Sequence, residues 1–265
     1  MPRVVFVISR VVSVACLVIL GVAAVFDAQA ERFTAGRVPA QFAERLDPGL
    51  SGDYDDVVGV AHNAGDDVGA ATEAVAYGVD AIEIDVRSAG GELFASHDAP
   101  VPLLEDLVFR GPSFQRAWSV AQLRDTVLLH LKERTARYVD RVRAAVSARP
   151  IRRVIVQTDD PGTLRTVQHR LPAAERLLLL LDANGVRVLQ SSPDLLTVID
   201  GVSVRDSLLT APLMAWLSRR DLAIFVWTVN EERRINELVR RGVDGLITDR
   251  LDVMRLLGEG REAVG

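Results

Sequence analysis

The sequence predicts a single (β/α)8 barrel, and three observations carry that prediction. Short apolar runs rich in Val, Ile and Leu recur eight times from residue 57 onward, as expected of parallel strands buried on both faces. Amphipathic or polar stretches separate them, which gives the alternation of a parallel α/β fold. An open doubly wound sheet would carry a Gly-rich phosphate turn after its first strand. Ala61-His62-Asn63-Ala64-Gly65 stands there instead.

Residues 1–30 have the composition of a signal peptide or membrane anchor. Arg3 and Arg10 are basic, Val11 to Phe26 form an apolar run, and Ala28-Gln29-Ala30 is a small-residue cleavage site. The run is shorter than the about 20 residues of a typical spanning helix. Membrane association through residues 4–26 and export of the remainder are the expectations. Residues 31–56, with Pro39, Pro48, Gly49 and Gly52, are a linker, residues 57–258 the barrel, and residues 259–265 a tail.

The strand-like runs are Val57–Ala61, Ala81–Val86, Val127–Leu131, Arg153–Gln157, Arg176–Leu181, Val198–Val204, Ala223–Val229 and Gly245–Thr248. Helical patterns lie between them, for example Thr135–Ala148, Pro161–Leu171 and Glu231–Arg241, the last closed by Gly242. Glu92–His97 alternates after Gly90-Gly91 and predicts a hairpin extension of the second strand. Phe109-Arg110-Gly111-Pro112, in the long segment before the third strand, are expected over the barrel mouth as a lid.

Composition excludes several functions. The 265 residues are 49% hydrophobic and 25% charged, with net charge −5, which argues against nucleic acid as the main partner. A single cysteine, Cys16, permits neither an internal disulfide nor a Cys-based metal site. Among 31 basic residues the only lysine is Lys132. Arg and Lys exchange freely on many surfaces but not where a compact ammonium is needed.

Chemistry in a barrel belongs at the carboxyl ends of the strands, and the unusual residues collect there. His62 ends the first strand, His97 the extension, His130 and Lys132 the third, while His169 lies on a predicted helix. Glu83 and Asp85 are two apart on one strand, so they share a face and need a cation or shared proton between them. Hard oxygen ligands of this kind suit Mg²⁺ or Ca²⁺. His62 and His97 are candidates for an acid–base pair. Asn63, Gln157, Trp227 and Asn230 complete the rim as candidate substrate-binding residues.

These pieces resemble the glycerophosphodiester phosphodiesterases of the phospholipase-C-like phosphodiesterase superfamily. The matching segments are Ala61-His62, Gly78 to Val86, Ser96-His97-Asp98, Leu129 to Lys132, Trp227 to Asn230 and Gly242 to Arg250. The resemblance implies a (β/α)8 barrel that cleaves phosphodiesters with one divalent cation. It implies His62 and His97 as acid and base, Glu83 and Asp85 as metal ligands, and Lys132 on the phosphate. The chain departs from the family pattern with Asn63 where Arg is usual and His130 where Glu is usual. It also lacks a Glu-Asn-Thr element, for which Asp66 or Asp67 is a loose substitute. The short spacing from His62 to Glu83 is similar to that of sphingomyelinase-D-type phospholipases. With His130 as a third ligand, Mn²⁺ joins Mg²⁺ and Ca²⁺ as a candidate ion. Three readings follow: a metal-dependent hydrolase of glycerophosphodiesters or lysophospholipids, a head-group-releasing phospholipase-D-type enzyme, or an impaired barrel that binds phospholipid head groups.

Overall fold

The computed structural model describes residues 57–98 and 111–252. The expected leader (1–30), linker (31–56) and tail (259–265), and Phe109 and Arg110 of the expected lid, lie outside these residues. Among the described residues no helix is long and apolar enough to cross a membrane.

Eight parallel strands close into a barrel: β1 (Val58–Ala61), β2 (Ala81–Ala89), β4 (Thr126–Leu131), β5 (Arg153–Thr158), β6 (Glu175–Leu180), β7 (Gly201–Arg205), β8 (Ala223–Trp227) and β9 (Gly245–Thr248). Each pairs in parallel with its neighbour, and β1 closes the ring by pairing with both β2 and β9. The helices between them are α1 (Val68–Tyr77), α2 (Phe114–Ala121), α3 (Ala136–Ser147), α4 (Pro161–Arg170), α5 (Ala183–Ser191), α6 (Ala211–Ser218) and α7 (Glu232–Arg240). Side-chain caps start five of them: Asp67, Thr135, Asp160, Asp182 and Thr210 each accept a first-turn backbone N–H.

Four predicted strands are trimmed, the first and fifth by one residue (Val57 and Leu181) and two by more. The sixth begins at Gly201 rather than Val198, because Pro193–Thr197 is a 3-10 turn that runs up to Val198. The seventh stops at Trp227 rather than Val229. The predicted hairpin is present: β3 (Glu92–Ala95) returns antiparallel along β2. Its turn residues, Gly90 and Gly91, have φ of 55° and 93°. Positive φ at both central positions is the two-residue hairpin conformation that glycine adopts without steric cost.

Period-two alternation gives each strand an inner and an outer face. Val60, Ala81, Leu128, Ile155, Leu177, Phe225 and Ile247 point inward and form a cluster of their own. Outward residues such as Ile82, Leu129, Val156 and Leu246 join the larger core between barrel and helices. Counting on by twos from the inner cluster, every strand aims its last inward residue into the mouth.

The opposite rim is tied by aspartates. Asp80, Asp200 and Asp244 each precede a strand and accept the backbone N–H of the strand beside it, at Gly59 (2.8 Å), Arg176 (2.7 Å) and Ile224 (2.7 Å). After Asp244 comes Gly245, where an added Cβ would sit 2.2 Å from the Phe225 ring. Gly245→Ala is therefore expected to overpack the barrel floor at a cost of about 2–3 kcal/mol. In a thermal melt that is a drop of roughly 5–10 °C; an unchanged melt would refute the crowding.

Candidate active site

Glu83 and Asp85 both point into the mouth from β2, as their spacing predicts, and both are buried. His130 aims at them from the paired strand β4, with Nδ1 3.0 Å from Asp85 Oδ1 and 3.9 Å from Glu83 Oε1. Lys132 lies just past β4, with Nζ 2.9 Å from Asp85 Oδ2. Each Asp85 oxygen thus faces one nitrogen and, having two lone pairs, can still serve a further Lewis acid.

Donor atoms of Glu83, Asp85 and His130 all lie within 4.8 Å of one another. Two carboxylates and an imidazole converging in this way fit a divalent cation. Burial and the negative charge of Asp85 push the Glu83 carboxyl above its ordinary value. Burial would raise Asp85 as well, but His130 and Lys132 outweigh it and hold that carboxyl down.

The segment after β1 supplies the rest of this wall. Asn63 has φ 51°, a left-handed conformation that Asn tolerates better than most residues. Its backbone N–H donates to Glu83 Oε2 at 3.3 Å. Asp66 accepts the Asp85 backbone N–H at 2.8 Å, and burial together with the Asp85 charge pushes its carboxyl up to about 9. Asp67 is spent on capping α1. Asp66 thus braces β2 through the Asp85 backbone, and neither aspartate joins the Glu83–Asp85–His130 donor set.

Both catalytic candidates carry an aspartate on Nδ1. The His62 Nδ1–H donates to Asp249 Oδ1 at 2.7 Å; an ionised carboxylate only accepts, so the proton sits on nitrogen. Burial works against the imidazolium, but the Asp249 hydrogen bond and the nearby carboxylates prevail and raise the His62 pKa above its ordinary value. Asp249, conversely, is lowered by His62 and Asn230 against the effect of burial. His97 Nδ1 lies 3.2 Å from Asp98 Oδ1. The hairpin delivers His97 to the mouth, where the Arg87 guanidinium donates to its carbonyl oxygen at 3.3 and 2.8 Å.

His62, Asn63, Glu83, His97, His130, Lys132, Gln157 and Trp227 all line one cavity of about 430 Å³. The structure therefore brings eight of the ten predicted residues to its wall. Asp85 lies just behind that wall and is fully buried. Gln157 is engaged by Glu83, with Nε2 donating to Oε1 at 2.6 Å. Asn230 is not on the wall; its Nδ2 donates to Asp249 Oδ2 at 2.7 Å, and its Oδ1 accepts from Thr248 and from the Asp249 backbone.

The sequence reading assigned no role to Asp249, Arg205 or Arg134. Asp249 stood in a motif already recognised, and its place two residues beyond Ile247 was a usable signal of an inward aim. Arg134 and Arg205 also line the cavity. Arg134 pairs with Asp159 at 3.2 Å, and Arg205 lies over the Trp227 ring at 5.1 Å from its centre.

With the geometry in place, comparison with known proteins gives a consistent answer. The model of the glycerophosphoryl diester phosphodiesterase family matches residues 89–253, more than half of the chain. An Oleispira antarctica phosphodiesterase, solved in complex with the product sn-glycerol-3-phosphate, superposes with a TM-score of 0.63 at 14% identity, over 76% of this chain and 96% of that one. A glycerophosphodiester phosphodiesterase from Parabacteroides distasonis gives 0.62 at 16% identity, over 78% and 98%. One from Thermotoga maritima gives 0.53 at 19%, over 76% and 97%. At such identities the likeness to solved structures is one of fold. No curated protein sequence matches significantly.

Proposed function

The chain belongs to the glycerophosphoryl diester phosphodiesterase family, and from that premise we propose an exported, metal-dependent hydrolase of glycerophosphodiesters or lysophospholipids. One observation carries this reading. The Glu83–Asp85–His130 donor set, Lys132, and two histidines each backed by an aspartate meet at one cavity.

Glu83, Asp85 and His130 would hold a divalent cation, which would supply Lewis-acid stabilisation of the phosphoryl charge. Mg²⁺ and Ca²⁺ suit the carboxylates, and the imidazole of His130 admits Mn²⁺. Lys132 orients the phosphate and balances charge that develops on it. With Nδ1 of His62 bonded to Asp249, Nε2 is the atom that exchanges a proton with substrate. The Asp249 hydrogen bond and the nearby carboxylates favour the imidazolium of His62 against burial, which suits it to protonate the leaving oxygen. His97 is left to take the proton of the attacking water. The product bound by the Oleispira enzyme is the monoester such cleavage would release.

Export rests on the apolar stretch at residues 4–26 and places the barrel beyond the cytoplasmic membrane or on its outer face. Recovery of the protein from the cytosol alone on cell fractionation would contradict that part of the proposal.

The test is turnover by the purified protein on a panel of glycerophosphodiesters and lysophospholipids with Mg²⁺, Ca²⁺ or Mn²⁺. Activity is expected to fall to background with chelator and to return with one of the three ions. A phosphate monoester with a free alcohol identifies hydrolysis, and a cyclic phosphate with a free alcohol identifies intramolecular attack; a monoester left on the glycerol or lipid side marks release of the head group, and one left on the head group marks cleavage of the other ester bond. Silence with every ion, together with head-group binding indifferent to chelator, would favour the binding-protein reading.

A further inference from the structure

We propose that the side of the mouth facing the Glu83–Asp85–His130 donor set is a subsite for a second anionic group of the substrate. That group is a phosphate monoester or carboxylate carried beyond the scissile diester, with Arg205 as its cation and Trp227 as its wall. The inference rests on the phosphodiesterase reading and narrows its substrate class.

Placement comes first. Around the closed ring β1-β2-β4-β5-β6-β7-β8-β9, strand β7 is four positions from β2 in either direction. Arg205 therefore stands diametrically across the mouth from Glu83 and Asp85. A substrate whose phosphate is held on the β2–β4 side extends its far end toward β7.

Orientation is fixed by the alternation of β7. Gly201, Ser203 and Arg205 are the inward residues, in register with Ala223, Phe225 and Trp227 of β8. Phe225 belongs to the inner cluster, and Trp227 packs against it. Arg205 thus aims into the mouth and not toward the helices. Its guanidinium lies over the face of Trp227. Among the described residues no hydrogen bond or ion pair engages its N–H donors, which form the fork that matches a carboxylate or phosphate.

Charge then singles out this residue. Lys132 faces Asp85, Arg134 pairs with Asp159, His62 with Asp249 and His97 with Asp98. Among the described residues Arg205 has a ring as its partner and no carboxylate. An Arg so placed attracts an anion, repels a quaternary ammonium, and gains little from an uncharged glycerol.

The experiment compares glycerophosphoglycerol with its terminally phosphorylated form, which differ by one phosphate monoester. The wild-type protein is expected to favour the phosphorylated substrate in kcat/KM by about tenfold or more, the scale of one charge-assisted contact. Arg205→Gln is expected to reduce that ratio about tenfold, and Arg205→Lys to restore part of it. No preference in the wild type, or an unchanged ratio in R205Q, would overturn the subsite. So would an equal loss on both substrates, since Arg205 would then serve the scissile phosphate or the fold. A binding arm separates this claim from the reading beneath it: calorimetry of glycerol 3-phosphate and a glycerol bisphosphate with both proteins. If neither diester is hydrolysed, the hydrolase reading falls. A selective loss of bisphosphate affinity in R205Q still sustains the subsite, and equal affinity of the two proteins rejects it.

Discussion

Asp85→Asn is expected to lower turnover at least about a thousandfold, the upper end of what one polar group at a developing oxyanion is worth. It is also expected to remove measurable Mn²⁺ binding in calorimetry. Asp85 is fully buried against the Lys132 ammonium and His130 Nδ1, and these two groups hold its carboxyl down. A neutral amide leaves the Lys132 ammonium without its anion and takes a donor from the cluster. Removing one member of a buried ion pair ordinarily costs about 3–5 kcal/mol. Relief of the repulsion from Glu83 offsets part of that cost, so the variant is expected to fold with a lowered melting temperature. Turnover or Mn²⁺ affinity within tenfold of wild type would show that Asp85 is not a ligand.

His62→Gln ranks second, with an expected fall in kcat/KM of roughly 10²- to 10⁴-fold, the usual contribution of a positioned acid or base. Asp249→Asn keeps the ring but removes the anion that raises its pKa. Burial then dominates, and the His62 pKa falls. The limb of the kcat/KM profile assigned to His62 should move to lower pH, and an NMR titration of His62 should move with it. A second consequence concerns stability. The folded pKa of His62 lies above 6.5, its value in the unfolded chain. The pair with Asp249 therefore stabilises the fold fully below that value and less as pH rises through the folded pKa. The wild type should lose this increment on going alkaline, and D249N should not. Identical limbs in the two proteins would remove Asp249 from the mechanism.

The sequence made the barrel legible because parallel strands buried on both faces need near-continuous apolar runs, and such runs survive as a pattern. The site was legible where chemistry shares a strand: Glu83 with Asp85, and His130 with Lys132, follow from a period of two. What escaped depended on partners far along the chain. Gln157 was a rim residue in the sequence and holds Glu83 in the fold, 74 residues away. Asn230 was placed on the rim in the same way and holds Asp249 instead. Arg205 was overlooked because the run before it was ended at Val204, one residue short of the true strand end.

The His62–Asp249 contact joins the first strand to the residue just past the last, 187 positions away. Every other part of the mouth is encoded before it. The final strand seals the ring, and the residue just past it supplies the partner of His62. One segment thus serves closure and site together, so a lesion in β9 would open the barrel and strip His62 of its aspartate at once.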